Sequence, residues 1–364
     1  MTRGTPDLKV EALGAQVAVR LPLDAVEQAR EAWRWCLATF DREADSALDL
    51  TNRPDLEPGQ VQEHLSRELT LRAINHQRGQ RLMVHAACVV SPTSGRGLVL
   101  VGESGAGKTT AAIHLCSNGF RYVTDETVAL DDAHHALLYR KPLSMVEATQ
   151  SRFKAQRAPE TLGMSVAERS PQVGAMVLLA RDPTCTAPSL EPVSLIDALA
   201  DLIPQTSSLV VLPTPLTRLV DLANAAGGVQ RLRYREIGDT TELLRVATDR
   251  SEPTCSSASV AGPRPSAPHE QLPPGAVIRA DFHEACTDED DVLVLIGDTP
   301  VRLAGIGATI WKLALEPQQL DDLVAGCVAA HGKVPEAEQR VRRVRQAMLD
   351  FGVLCAGPTV PVRG

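Results

Sequence analysis

A mixed α/β domain followed by a smaller domain of strands and then helices is what this 364-residue sequence predicts, on three observations. At residues 98–115 an apolar strand runs into a glycine-rich turn and then into a helical segment. Residues 250–274 hold six prolines, five serines and no aromatic side chain, a composition unable to bury enough apolar surface to offset its ordering entropy, so they read as a linker. Beyond it, short β-patterned runs precede three helical patterns. A prior of about 150 residues per domain gives two or three domains. The expected boundaries are a β/α region at 1–64, a domain around the glycine-rich turn at 65–249, the linker at 250–274 and a C-terminal domain at 275–358.

Residues 8–22 alternate apolar and polar in places, as half-buried strands do, which makes the start of the chain a small β-rich region. Ala25, Val26, Ala29, Trp33 and Leu37 recur at helical spacing over residues 24–39, and residues 60–78 read as a second amphipathic helix. Residues 82–90 form an apolar run interrupted only by His85, the pattern of a fully buried strand. Residues 121–130 read as a single strand carrying the adjacent carboxylates Asp125 and Glu126. Another buried strand is expected at 175–180, with helices at 195–202 and 215–225.

The glycine-rich turn meets the pattern G-x-x-x-x-G-K-[ST] at Gly102, Gly107, Lys108 and Thr109. Its glycines allow close backbone approach, so the N–H groups of Gly102, Glu103, Ser104, Gly105, Ala106 and Gly107 can turn inward on a polyphosphate. The helix that follows, through Thr109 and Thr110, adds its positive end to the same anion site. Lys108 is suited to reach the β- and γ-phosphates, and the Thr109 hydroxyl to hold Mg²⁺. A nucleotide is the implied ligand.

Composition narrows the partners. A net charge of −8 excludes a general nucleic-acid binder, which would show a basic balance. No apolar run reaches the ~18 residues of a membrane span, and the start lacks an apolar segment, so a soluble cytoplasmic protein with no membrane partner is expected. Eight cysteines stand singly, without C-x-x-C pairs or histidines at zinc-ligand spacing, as buried or free thiols do. His134 and His135, after Asp131 and Asp132, read as a polar hairpin loop.

Three residues beyond the loop bear on chemistry. A carboxylate at the end of a strand beside the glycine-rich loop can coordinate Mg²⁺, and a second can take the proton from an attacking hydroxyl. Adjacent strand residues point to opposite faces, so a regular strand would turn only one of Asp125 and Glu126 toward the phosphates, and Asp125 is the expected one. His85, ahead of the loop strand, is the third candidate.

His85-Ala86-Ala87, then the loop from Gly102 to Thr110, then Gly119-Phe120-Arg121-Tyr122-Val123-Thr124-Asp125-Glu126 together resemble the HPr kinase/phosphorylase-like family. Tyr139-Arg140-Lys141-Pro142-Leu143 is similar to that family's stretch before a further strand. The resemblance covers residues 65–248 and implies an α/β P-loop kinase domain that uses ATP and Mg²⁺ to phosphorylate a protein hydroxyl. It gives Asp125 the part of general base assisted by His85, with Lys108 on the phosphates and Thr109 and Glu126 on Mg²⁺. The long glycine-rich signature that bacterial HPr kinases carry downstream of these acids is absent. That sets the chain nearer the HPr-kinase-related proteins of peptide-modification clusters.

In the C-terminal domain, residues 276–279, 291–296 and 300–303 read as strands, and residues 306–315, 320–331 and 336–351 as helices, with Trp311 in the core. In the last helix Val341, Val344, Met348 and Phe351 recur at helical spacing and are expected to pack or to face a ligand, while Arg340, Arg342, Arg343 and Arg345 fan outward. With Gly307-Ala308-Thr309-Ile310-Trp311 opening the helices and Phe351-Gly352-Val353-Leu354 closing them, this order resembles the PqqD-like precursor-peptide recognition domain, an α+β winged-helix-like unit. The resemblance implies that a leader peptide adds a strand to the sheet edge at Val301 and Leu303, against Arg342, Arg343 and Arg345 of the last helix.

The combined expectation is an ATP-dependent kinase acting on a Ser or Thr of a ribosomally made precursor peptide that its own leader-binding domain recruits. Other enzymes of a peptide-modification cluster and a second copy of the chain are further candidate partners. The alternatives are a carrier-protein kinase of HPr type and a nucleotide-gated peptide chaperone that transfers no phosphate to the peptide.

Overall fold

The computed structural model describes residues 6–40, 43–53, 55–146, 153–250, 252–263 and 272–358. The chain divides into two compact units, one of Met1–Val193, Gln205–Leu212 and Leu222–Thr254, the other of Ser194–Pro204, Pro213–Asp221 and Cys255–Gly364. Among the described residues no helix is long and apolar enough to cross a membrane.

The first unit opens with β1 (Leu8–Ala12) and β2 (Ala15–Arg20), an antiparallel hairpin. Its turn residues, Leu13 and Gly14, both have positive φ, 48° and 83°, as two-residue hairpins require to match strand twist. α1 (Leu23–Ala32) stops short of the expected residue 39, because the chain turns at the buried Trp33 and brings Leu37 into a bridge with Val10. β3 (Ser46–Asp49) then runs parallel to β2. α2 (Pro58–Gln77) packs on this sheet, burying Val61, Leu65, Leu69 and Ala73 at four-residue spacing.

There follow β4 (Leu82–Val84), β5 (Ala86–Val90), β6 (Gly97–Val101), α3 (Lys108–Ser117), β7 (Arg121–Thr124), β8 (Val128–Leu130), β9 (Leu143–Met145), β10 (Ala155–Arg157), β11 (Val173–Arg181) and β12 (Ser189–Val193). After them come α4 (Leu195–Leu202), α5 (Pro215–Ala225), β13 (Val229–Tyr234) and α6 (Thr241–Arg250). Six strands share one sheet in the order β12-β13-β11-β6-β5-β7. β6, β11 and β13 are mutually parallel, and β7 runs the same way because β5 is antiparallel to both of its neighbours. The C-terminal ends of β6 and β7 and the N-terminal end of β5 therefore meet at one edge, where α/β sheets bind ligands. Leu98, Leu100, Ala175, Val177 and Leu232 share a core with Ala111, Ala112 and Leu115 of α3.

Two runs expected as single strands are each two. The run 82–90 breaks at His85 into β4 and β5, and the run 121–130 breaks at residues 125–127 into β7 and β8. β4 and β8 pair in a small sheet of their own, so both chains leave the six-stranded sheet at the same level. Two backbone bonds hold the crossing: Ala86 N–H donates to Glu126 O at 3.2 Å and His85 N–H to Gln205 O at 2.6 Å. Val84 and Ala86 on either side of the first break, and Val128 after the second, are apolar and buried, so each run reads as one buried strand interrupted by polar residues.

The second unit contains β14 (Ser259–Ala261), β15 (Val277–Arg279), β16 (Glu284–Asp288), β17 (Asp291–Ile296), β18 (Thr299–Leu303), α7 (Ile306–Leu313), α8 (Leu320–His331), α9 (Ala337–Asp350) and β19 (Leu354–Ala356). Its main sheet is antiparallel in the order β14-β16-β17-β18. The strand expected at 276–279 lies outside this sheet, since β15 pairs with β19. Its place is taken by β16, whose Glu-Ala-Cys-Thr-Asp sequence carries too little apolar signal to announce a strand. Within the stretch expected to be linker, Ser259–Ala261 pairs with β16 as β14, while residues 251 and 264–271 lie outside the described residues.

Ala285, Val292, Val294 and Leu303 share a core with Trp311, Leu323, Val341 and Met348. α4, contributed from far earlier in the chain, packs against β16, β17 and β18, and its Asp197 pairs with Arg302 of β18. The buried Glu284 of β16 accepts hydrogen bonds from the amides of Leu216 (2.6 Å) and Thr217 (3.3 Å) and from the Thr217 hydroxyl (2.8 Å), satisfying the first turn of α5. Phe351, expected to pack or to face a ligand, does not pack and is 71% exposed: α9 ends at Asp350, and Leu349 packs against the core.

Candidate nucleotide and phosphoryl-transfer site

At the C-terminal end of β6 the chain enters a loop too tight for larger residues. A Cβ on Gly102 would stand 2.9 Å from the Ala106 Cβ, and Gly107 caps α3 with φ 93°. Lys108 Nζ donates to the carbonyls of Gly102 (2.6 Å) and Glu103 (3.0 Å), folded over its own loop. Burial lowers the Lys108 pKa, with Asp125 and Glu126 opposing the shift. From β13, the Tyr234 hydroxyl donates to Ala106 O at 3.3 Å and ties the loop to the sheet.

Asp125 and Glu126 follow β7, and both reach one ammonium. Lys141 Nζ lies 3.4 Å from Asp125 Oδ1, 3.1 Å from Glu126 Oε2 and 2.9 Å from Pro142 O, to which it donates. The expectation that only one acid faces the site fails because the backbone leaves the strand at Asp125, and side-chain alternation holds only within a regular strand. Asp125 is fully engaged: its side chain is 5% exposed, Oδ2 accepts from the Thr109 hydroxyl at 2.8 Å and Oδ1 from the Tyr122 hydroxyl at 2.9 Å. Glu126 is 38% exposed.

Electrostatics follows burial. Burial pulls the Lys141 pKa down, but Asp125 and then Glu126 more than offset it and hold the ammonium above its ordinary range. Burial, then Asp125, push the Tyr122 hydroxyl well above its usual value, so it stays a donor. His85 is shifted down, first by burial and then by Lys108, which makes its ring neutral at pH 7; the ring is hydrogen-bonded to the Glu126 main chain.

A cavity of about 490 Å³ is lined by His85, Ser104, Gly105, Gly107, Lys108, Thr109, Thr110, Asp125, Glu126 and Lys141, with Ser144, Val146 and Lys154 from the β9 and β10 region. Gly102, Glu103 and Ala106 belong to the loop without lining this cavity. Tyr122 and Lys141 lie in stretches that carry the resemblance, but neither they nor Ser144 and Lys154 were expected as site residues. The one available signal was the i, i+3 spacing of Tyr122 and Asp125 across the end of a strand.

Mg²⁺ fits the donor set. It binds through one or two protein carboxylates or hydroxyls completed by phosphate and water. Among the described residues no group of three or more His, Cys, Asp or Glu could hold a metal by itself, whereas the Thr109 hydroxyl and the Asp125 carboxylate already touch.

The residues expected to meet a peptide lie elsewhere, in the second unit. Leu303 is core and Val301 partly buried against it, on β18, an end strand of the sheet order. Arg342 pairs with Glu338 at 2.7 Å one turn earlier, Arg343 is exposed, and Arg345 donates to Gly275 O at 2.9 Å.

No protein-family model matches this chain, and no curated protein sequence does. Among solved structures, it is similar to the HPr(Ser) kinase/phosphatase from Coxiella burnetii at 13% identity and a TM-score of 0.24, over 45% of this chain and 92% of that one. The functional reading therefore rests on the geometry of the site.

Proposed function

We propose that the first unit transfers the terminal phosphoryl group of ATP to a Ser or Thr hydroxyl of a peptide that the second unit recruits. The observation that carries this reading is the coincidence of two strand breaks, which gathers Lys108, Thr109, Asp125, Glu126 and His85 around one cavity at the sheet's ligand edge. In this reading the loop amides and Lys108 bind the phosphates, and Thr109 and Asp125 hold Mg²⁺. When bound, the metal neutralises charge on the phosphate oxygens.

Proton acceptance belongs to Glu126 in this account. Asp125 is buried and committed to three donors, while Glu126 is the exposed acid and has one oxygen on Lys141. That reverses the roles expected from the sequence, which gave the proton to Asp125 and the metal to Glu126. The acceptor oxygen forms a bond to the γ-phosphorus, the bridging P–O bond to the β-phosphate breaks, the acceptor's proton passes to Glu126, and ADP leaves. Neutral His85 acts by holding the Glu126 main chain.

Recruitment of a leader peptide to β18, an end strand of its sheet order, remains part of the proposal, with the exposed Arg342 and Arg343 of α9 supplying positive charge for an acidic leader. The 364-residue chain, γ-labelled ATP and a panel of acidic peptides containing Ser and Thr test the reading. Label on the peptide supports the peptide kinase. Label found only as free phosphate supports a nucleotide-gated chaperone, and label on a folded carrier protein in place of the peptide supports the carrier kinase.

A further inference from the structure

The roles above leave Lys141 without a task. Its side chain is 2% exposed, yet it touches both acids of the cavity, at 3.4 Å and 3.1 Å. A buried ammonium persists only where paired charges and acceptors offset its lost hydration, and here the two acids and Pro142 O supply them. Without that counter-charge, two adjacent carboxylates and a hydroxyl would attract a free divalent cation. With it, one unit of negative charge is cancelled, and an approaching cation meets an ammonium within a few ångströms.

Lys108 lines the same cavity, its Nζ held on the carbonyls of its own loop. A free Mg²⁺ ion thus faces two ammonium groups, whereas a nucleotide-bound one arrives with several phosphate charges that both lysines favour. We propose that Lys141 is a positioning residue that holds Asp125 and Glu126 together while lowering their affinity for free Mg²⁺, so that metal enters the site only with a nucleotide. The inference rests on the phosphoryl-transfer reading of this cavity.

The test is calorimetric titration of MgCl₂ into the nucleotide-free full-length chain, compared among wild type, Lys141→Gln and Lys141→Arg. A parallel titration uses Mg²⁺ with a non-hydrolysable ATP analogue. Lys141→Gln keeps a donor on a side chain one bond shorter but removes the charge, and it is expected to bind free Mg²⁺ about ten-fold or more tightly than wild type. Lys141→Arg is expected to restore the wild-type weakness. A purely structural lysine would change the melting temperature and leave Mg²⁺ affinity unmoved, and equal affinity in wild type and Lys141→Gln overturns the inference. If Lys141→Gln does not fold, wild type decides: free Mg²⁺ binding as tightly without the analogue as with it also overturns it. Failure of wild type to bind the analogue at all instead sinks the phosphoryl-transfer reading beneath it.

Discussion

The acid pair of the first unit and the arginine-bearing helix of the second are both dense in charge, and the molecule treats them in opposite ways. Asp125 and Lys141 are almost wholly buried, and each is held by several named partners. On α9, Arg342 and Arg343 stand in solvent, and Arg342 pairs with Glu338, one turn away. A buried charge is costly unless its partners are fixed, so removing one leaves the rest uncompensated. An exposed pair contributes little and is screened by salt. Chemistry that depends on fixed geometry belongs with the first arrangement, and adaptable recruitment with the second.

The largest expected effect separates the two acids. Glu126→Gln should lower turnover by about 10²–10⁴, the range for losing a general base, without raising the Mg²⁺ concentration needed for half-maximal rate. Asp125→Asn should instead raise that Mg²⁺ requirement by roughly ten-fold or more, as loss of a metal-site group does. Steady-state kinetics across a Mg²⁺ series measures both. An unchanged Mg²⁺ requirement in Asp125→Asn would return the base to Asp125.

Next in size is Glu284, the second unit's own buried charge. Glu284→Ala removes the acceptor of three donors at the start of α5 and should cost about 1–3 kcal/mol of unfolding free energy, read from denaturant titration, the range for orphaned buried polar groups. A change of a few tenths would show that water replaces the carboxylate there.

A smaller effect should appear with pH. The His85 pKa is lowered in the folded state by burial and then by Lys108, so between that lowered value and the unfolded value near 6.5 the unfolded chain binds more protons. Stability should therefore fall as pH drops below about 6.5 and be independent of His85 above it. In His85→Asn that part of the acid loss should vanish, as thermal melts from pH 5 to 8 would register. The smallest effect belongs to the exposed helix. Arg342→Glu with Arg343→Glu should leave the melting temperature nearly unchanged, weaken an acidic leader by no more than about 1 kcal/mol per charge, and flatten its salt dependence.

What could be read from the sequence follows the same division. The P-loop was legible because its glycines and Lys108 answer local backbone demands within nine residues, and α4, α5 and α8 were legible from spacing to the residue. His85, Asp125 and Glu126 were found as candidates, but their meeting was not: it depends on β4 and β8 leaving the sheet together, a long-range event that hydropathy cannot register. Lys141 was missed because nothing local marks a lysine for burial when its partners lie 15 and 16 residues back along the chain. In the second unit, β16 escaped notice for its polar composition and β14 for its proline-rich surroundings, since each is a strand only by virtue of its neighbours.

The most direct test of the central claim is transfer of label from γ-labelled ATP, with Mg²⁺, to a panel of acidic peptides containing Ser and Thr, followed by mapping of the labelled residue. The account predicts label on a Ser or Thr hydroxyl with wild type, and its loss in both Lys108→Ala and Glu126→Gln although Glu126→Gln still binds Mg²⁺ with nucleotide. Wild-type chain that binds the peptide and nucleotide yet releases label only as free phosphate would contradict it.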